Sequence, residues 1–225
     1  MKFVDPDGTT INPVYGSDGS FRGNTLEGFT GIVIIYDGDK DFSNVSASDL
    51  LNNESINILT QRGEAKSYDT VRNELTETAR SKIWTHIASQ MEGLRVYDEV
   101  FSLSTLSNGI IGFSPTDKGS WNSRINAKTI TGTDKYSYET TVENIQSSVV
   151  VHEWYSHIMK GNHDRYESHR LAYKNVINYK LLWDKTTPSY KAFNLEQLLK
   201  YTIIETGRTT VDPPYRNLYK KYKKN

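Results

Sequence analysis

Val149-Val150-Val151-His152-Glu153-Trp154-Tyr155-Ser156-His157-Ile158-Met159 sets three valines ahead of two histidines and a carboxylate. Upstream, Val142, Ile145 and Val149 recur at helical spacing, and Lys160-Gly161-Asn162 supplies a stop. The pattern predicts a helix over 141–159 that leaves a core and carries His152 at its exit. Downstream, His163-Asp164-Arg165-Tyr166-Glu167-Ser168-His169 continues the same chemistry. The chain has five histidines, and four of them lie between 152 and 169. The fifth, His86, sits mid-helix beside Trp84 and reads as a packed or surface residue.

The spacing of the first two imidazoles makes a physical demand. At about 100° per residue, residue i+5 of an α-helix lies roughly 140° around from residue i. A regular helix would therefore point His152 and His157 apart. Two local distortions would bring them together. One is a single-residue π-bulge across Trp154–Ser156, a feature found mostly at functional sites. The other is a helix end near Ser156, with His157 turning in. The sequence contains no cysteine, so a metal held here would take histidine and carboxylate ligands only.

The rest of the chain bounds the setting. It has 225 residues, enough for one substantial core, and a 12% aromatic content that includes 15 tyrosines. Lys plus Arg and Asp plus Glu both number 27, so no global charge draws it toward nucleic acid or membrane. No apolar run is long enough to span a bilayer, and the opening Met1-Lys2-Phe3-Val4 lacks the apolar segment of a signal peptide. Export is therefore expected only as part of a longer protein.

Glycines at 8, 16, 19, 23 and 28 make residues 1–28 read as irregular turns, with a single domain expected over 29–225. Gly31–Tyr36 is a buried strand by its continuous apolar run. A short helix is expected within 46–59 and a longer one over 68–91, capped by Asp69 and stopped by Gly93. Strands are expected over 96–106, after an Asn108-Gly109 hairpin turn, and over 123–131. Helices follow over 168–182 and 194–205, the latter using Leu195, Leu198, Leu199 and Ile203, with Pro188 breaking the chain between them. The Tyr/Lys-rich tail 215–225 reads as a solvated end rather than a nucleic-acid contact. Strands followed by a run of helices make an α+β domain, with a small mixed or antiparallel sheet packed on helices.

His152-Glu153, with a second histidine about one turn on, resembles the zinc-binding helix of the zincin metallopeptidases. It departs from that helix by one residue, i+5 in place of i+4. The resemblance implies a zincin-like fold, a bound Zn2+, His152 and His157 as the first ligands, and Glu153 as the general base for water attack on a peptide carbonyl. It also implies a third ligand from the next helix. His169-Arg170-Leu171-Ala172-Tyr173 is similar to the Glu-x-x-Ala segment of related enzymes, with His169 in the place of Glu. His169 is therefore favoured, with Glu167 and then His163 as alternatives. Tyr155, Tyr166 and Tyr173 are all candidates to stabilise an oxyanion.

Phe3-Val4-Asp5-Pro6-Asp7-Gly8 resembles the boundary motif of RHS/YD-repeat proteins, after which a variable C-terminal domain begins. That implies a secreted or cell-surface bacterial effector or toxin domain. It also implies a protein or peptide substrate and a cognate immunity protein as partners. Two other functions compete. A metal-dependent nuclease would use His163, Asp164 and His169. A zincin-like interaction domain without catalysis would bind no zinc.

Overall fold

The computed structural model describes residues 12–24, 31–38, 64–91, 101–104, 112–113, 123–126, 138–160 and 165–223, with the backbone alone at 101–104, 112–113, 123–126, 158–159 and 165–168. The architecture is α+β. Strands β1 (Pro13–Tyr15), β2 (Phe21–Asn24), β3 (Ile34–Tyr36) and β4 (Ala65–Ser67) form a mixed sheet in the order β2-β1-β3-β4. β1 pairs antiparallel with β2 and parallel with β3, and β3 pairs antiparallel with β4.

Alternate residues explain the continuous apolar run of β3. Ile34 and Tyr36 join Val14 and Ala65 on one face, whereas Val33 and Ile35 join Tyr15 in the main core on the other. The expectation of an irregular 1–28 is corrected for 13–24, which form a hairpin. The glycines read as punctuation close that hairpin: Gly16 N–H donates to the Ser20 carbonyl at 2.8 Å, and Gly19 adopts φ 81°. The hairpin is pinned to the helix Glu77–Ser89 through His86, whose Nδ1 lies 2.8 Å from Tyr15 Oη and whose ring meets Phe21 at 4.4 Å. His86 is thus a packed histidine.

The helix expected over 68–91 is two helices, α1 (Tyr68–Val71) and α2 (Glu77–Ser89). Thr76 takes an extended conformation, and its hydroxyl accepts the Ala79 N–H at 3.1 Å, which starts a new helix. Asp69 caps neither; it accepts the Thr140 N–H at 2.9 Å. Gly93, the helix expected within 46–59 and the Asn108-Gly109 turn lie outside the described residues. β5 (Phe101–Ser104), β6 (Gly112–Phe113) and β7 (Ser123–Asn126) form a second sheet in the order β5-β7-β6. β5 and β6 are not hairpin partners: β7 lies between them, parallel to β5 and antiparallel to β6. A turn dipeptide signals a reversal without specifying which strands then pair.

The helical half opens with α3 (Val142–Gln146), capped by Thr141 Oγ1 accepting from Asn144 N at 3.2 Å, and runs directly into a π-helix over Ser147–Met159. Then come α4 (Arg165–Asn178), α5 (Lys180–Trp183), α6 (Pro188–Thr206) and α7 (Pro213–Tyr222). Pro188 does not break a helix; it starts α6 behind the Thr187 cap, where its missing N–H costs nothing. Ile203, expected inside, is 41% exposed, and the buried position beside it is Thr202. The tail expected to be solvated is largely α7. Tyr215, Leu218, Tyr219 and Tyr222 follow i, i+3, i+4, i+7 spacing and pack on the core, leaving Lys220 and Lys221 exposed.

One core joins Ile83 and Ile87 of α2, Ile145, Val149–Val151, Val176 and Ile177 of α4, Trp183, and Leu195 and Leu198 of α6. Among the described residues no helix is long and apolar enough to cross a membrane.

Candidate metal centre

Three elements build the centre. The first is the π-helix. Its hydrogen bonds span five residues, as in Lys160 N–H to the Tyr155 carbonyl at 3.0 Å, so residue i+5 sits one turn above residue i. That sharply reduces the roughly 140° offset a regular helix would impose between His152 and His157. The distortion is larger than the single bulge expected across Trp154–Ser156, because the winding runs over 13 residues, and the early helix end does not occur. The core holds this segment on several sides: Val149, Val150 and Val151 are all buried, as is Trp154. Three consecutive buried side chains require an element surrounded by the fold rather than lying on its surface.

α4 packs against the π-helix and brings His169 to the pair. The ring centroids are 5.3 Å apart for His152 and His157, 5.9 Å for His152 and His169, and 5.0 Å for His157 and His169. One ligand nitrogen from each ring lies within 4.8 Å of the other two. A tetrahedral ion with Zn–N bonds of about 2.0–2.1 Å holds its nitrogens about 3.4 Å apart, so rotations of these side chains by about an ångström meet its geometry. The donor set is compatible with zinc and with other metals that take imidazole ligands. It is all imidazole, and three protein ligands leave a fourth position for water or substrate.

His152 is only 8% exposed. Burial, reinforced by the neighbouring His157 and His169, pushes its pKa well below the ordinary histidine value. It is held neutral, the form that offers a lone pair to a metal. Glu153 is half-buried, with Oε1 4.0 Å from His152 Nε2.

α6 closes the third side with a residue the sequence reading did not single out. Tyr201 stacks on His169 at 4.9 Å and 19°, and on Tyr173 at 5.7 Å and 24°. Tyr173 in turn meets His152 edge-on at 4.5 Å. Among the described side chains of the tyrosines considered as oxyanion donors, Tyr155 and Tyr173, it is Tyr173 whose ring meets a histidine of the group. Tyr155 lies under the Lys160 ammonium, 5.2 Å from its ring, and the Tyr166 side chain is not described. Tyr201 sits off the leucine stripe that identified α6, so periodicity did not mark it. Of the alternative third ligands, His163 lies outside the described residues, as does Asp164 of the nuclease reading, and Glu167 is placed on α4 by its backbone alone.

A scan against protein-family models and searches of curated proteins and of solved structures returned no match.

Proposed function

We propose that this chain is a zinc-dependent hydrolase of the metallopeptidase class with a zincin-like active site, carried as the C-terminal effector or toxin domain of a bacterial RHS/YD-repeat protein. The observation that carries the catalytic reading is the convergence of His152, His157 and His169, made possible by the π-helical winding between the first two. His152, His157 and His169 would hold the zinc ion, which would supply Lewis-acid chemistry for activating water. Glu153, fixed beside His152, takes the proton from the attacking water and passes it to the leaving amine. Tyr173, against His152, donates a hydrogen bond to the charge that develops on the carbonyl oxygen. The RHS/YD assignment rests on Asp5-Pro6-Asp7-Gly8 and brings with it secretion or surface display, a protein or peptide substrate and an immunity protein as partner.

Incubation of the zinc-loaded chain with a diverse peptide mixture, followed by mass spectrometry, tests the reading. The expected result is cleavage by the wild type and none by Glu153→Gln, which still holds zinc. Nucleic-acid cleavage that depends on a divalent cation and survives Glu153→Gln would replace the peptidase with a nuclease. A chain with neither zinc nor cleavage would be an interaction domain.

A further inference from the structure

We infer that Ser156 and Asn175 act as one positioning pair that sets the spacing between the two helices bearing the metal ligands. The inference rests on the metal-centre reading above. His152 and His157 ride on the π-helix and His169 on α4, so the register between these elements decides whether three imidazoles meet. Ser156 is 0% exposed. Its Oγ donates to the Val151 carbonyl at 2.7 Å and accepts from Asn175 Nδ2 at 3.0 Å.

The first of these bonds repeats the offset of the ligands. Val151 directly precedes His152 and Ser156 directly precedes His157, so the hydroxyl fastens the same five-residue step that aligns the two rings. The second bond crosses to α4. Asn175 lies six residues after His169, about 9 Å along the helix and about 120° around it, so it braces α4 without facing the imidazoles. Two ion pairs among the described residues of α4 reach elsewhere. Arg170 pairs with Glu205 on α6, and Lys174 pairs with Asp212 ahead of α7 at 3.2 Å. Val149 and Val150 of the π-helix and Val176 and Ile177 of α4 belong to one apolar core. Ser156 is buried and Asn175 half-buried, so a shift of register would take the Asn175 donor away from a hydroxyl that water does not reach, which makes the pair a register device.

The test measures zinc affinity of the full chain by competition with a chromogenic chelator, with folding checked by circular dichroism. The variants are Ser156→Ala, Asn175→Leu and the double variant. The control is Thr186→Val, which deletes a buried hydroxyl bond to the Trp183 carbonyl on elements that carry none of the histidines. Each single variant is expected to raise the zinc Kd about tenfold, the scale of losses when groups supporting metal ligands are removed. The double variant is expected to lose no more than the worse single, because the two act as a unit. The control is expected to keep the wild-type Kd. If Asn175→Leu does not fold, Asn175→Asp keeps the shape and removes the donor, with the same expectation.

Wild-type Kd in the single variants, losses that multiply in the double variant, or an equal loss in Thr186→Val would each overturn the pair. A wild type that binds no zinc overturns the metal centre and the pair together. Unchanged variants beside a zinc-binding wild type overturn the pair alone.

Discussion

Replacing Tyr201 by leucine removes the aromatic support of the histidine cluster while keeping an apolar side chain at the same place. Tyr201 makes two stacked contacts, with His169 at 4.9 Å and with Tyr173 at 5.7 Å. Each aromatic pair is worth about 0.5–1.5 kcal/mol beyond the area it buries, so losing both costs about 1–3 kcal/mol. Tyr201 is half-buried, which places the expected loss in the lower part of that range. The share of about 1 kcal/mol that orients His169 toward His152 and His157 corresponds to about a fivefold rise in zinc Kd. Tyr201→Phe keeps both ring contacts and is expected to stay within about twofold of wild type on the same scale. Urea unfolding of the metal-free chain measures the stability loss, and chelator competition measures the Kd. If Tyr201→Leu binds zinc as tightly as wild type, the stacked ring does not orient His169. If Tyr201→Phe is as damaging as Tyr201→Leu, the phenol hydroxyl and not the ring is responsible.

The remaining predictions concern acid stability and the hairpin. Burial holds the folded-state pKa of His152 below its unfolded value, so in the metal-free chain its contribution is fully present above the unfolded value. As pH falls below about 6.5 the unfolded state takes up a proton that the folded state refuses, and stability drops by up to about 1.4 kcal/mol per pH unit from this one group. Urea unfolding at pH 6.5 and 5.5 should show a smaller drop in His152→Gln than in wild type; equal drops would mean that His152 is not held neutral. Gly19→Ala should destabilise by about 1–3 kcal/mol, since φ is 81° and a methyl group there would lie 2.6 Å from the Ala79 carbonyl oxygen on α2. Thermal melting checks this, and an unchanged melting temperature would show that the hairpin turn does not need this close approach.

Much of this arrangement was legible in residue order. Four histidines, the first followed directly by Glu153 and preceded by three valines, marked the centre, and the i+5 spacing stated the distortion needed. Its extent was not legible. A single bulge is a local remedy, whereas winding over Ser147–Met159 depends on a core that surrounds Val149–Val151, and core shape is a tertiary property. The same limit applies to Tyr201. A helix stripe read from Leu195 and Leu198 gives the buried face and is silent about a ring at its edge that meets a histidine from another helix. Local chemistry carried two meanings elsewhere. Pro188 could break a helix or begin one, and the Thr187 cap decided in favour of a start. The glycines at 16 and 19 could mark loose chain or a tight hairpin, and the match of Tyr15 and Phe21 to His86 decided for the hairpin. The α7 tail carried a helical apolar stripe of Tyr215, Leu218, Tyr219 and Tyr222 beneath its lysines, so there the charge pattern concealed a readable amphipathic helix.

The central claim is that His152, His157 and His169 hold one zinc ion. Elemental analysis of the chain, purified without a metal-affinity tag, supplemented with zinc and dialysed, tests it most directly. The account predicts about one zinc per chain for the wild type and none for His152→Ala, because a site of three imidazoles does not keep the ion on two. A wild type without zinc, or a His152→Ala chain that keeps its full complement, would contradict it.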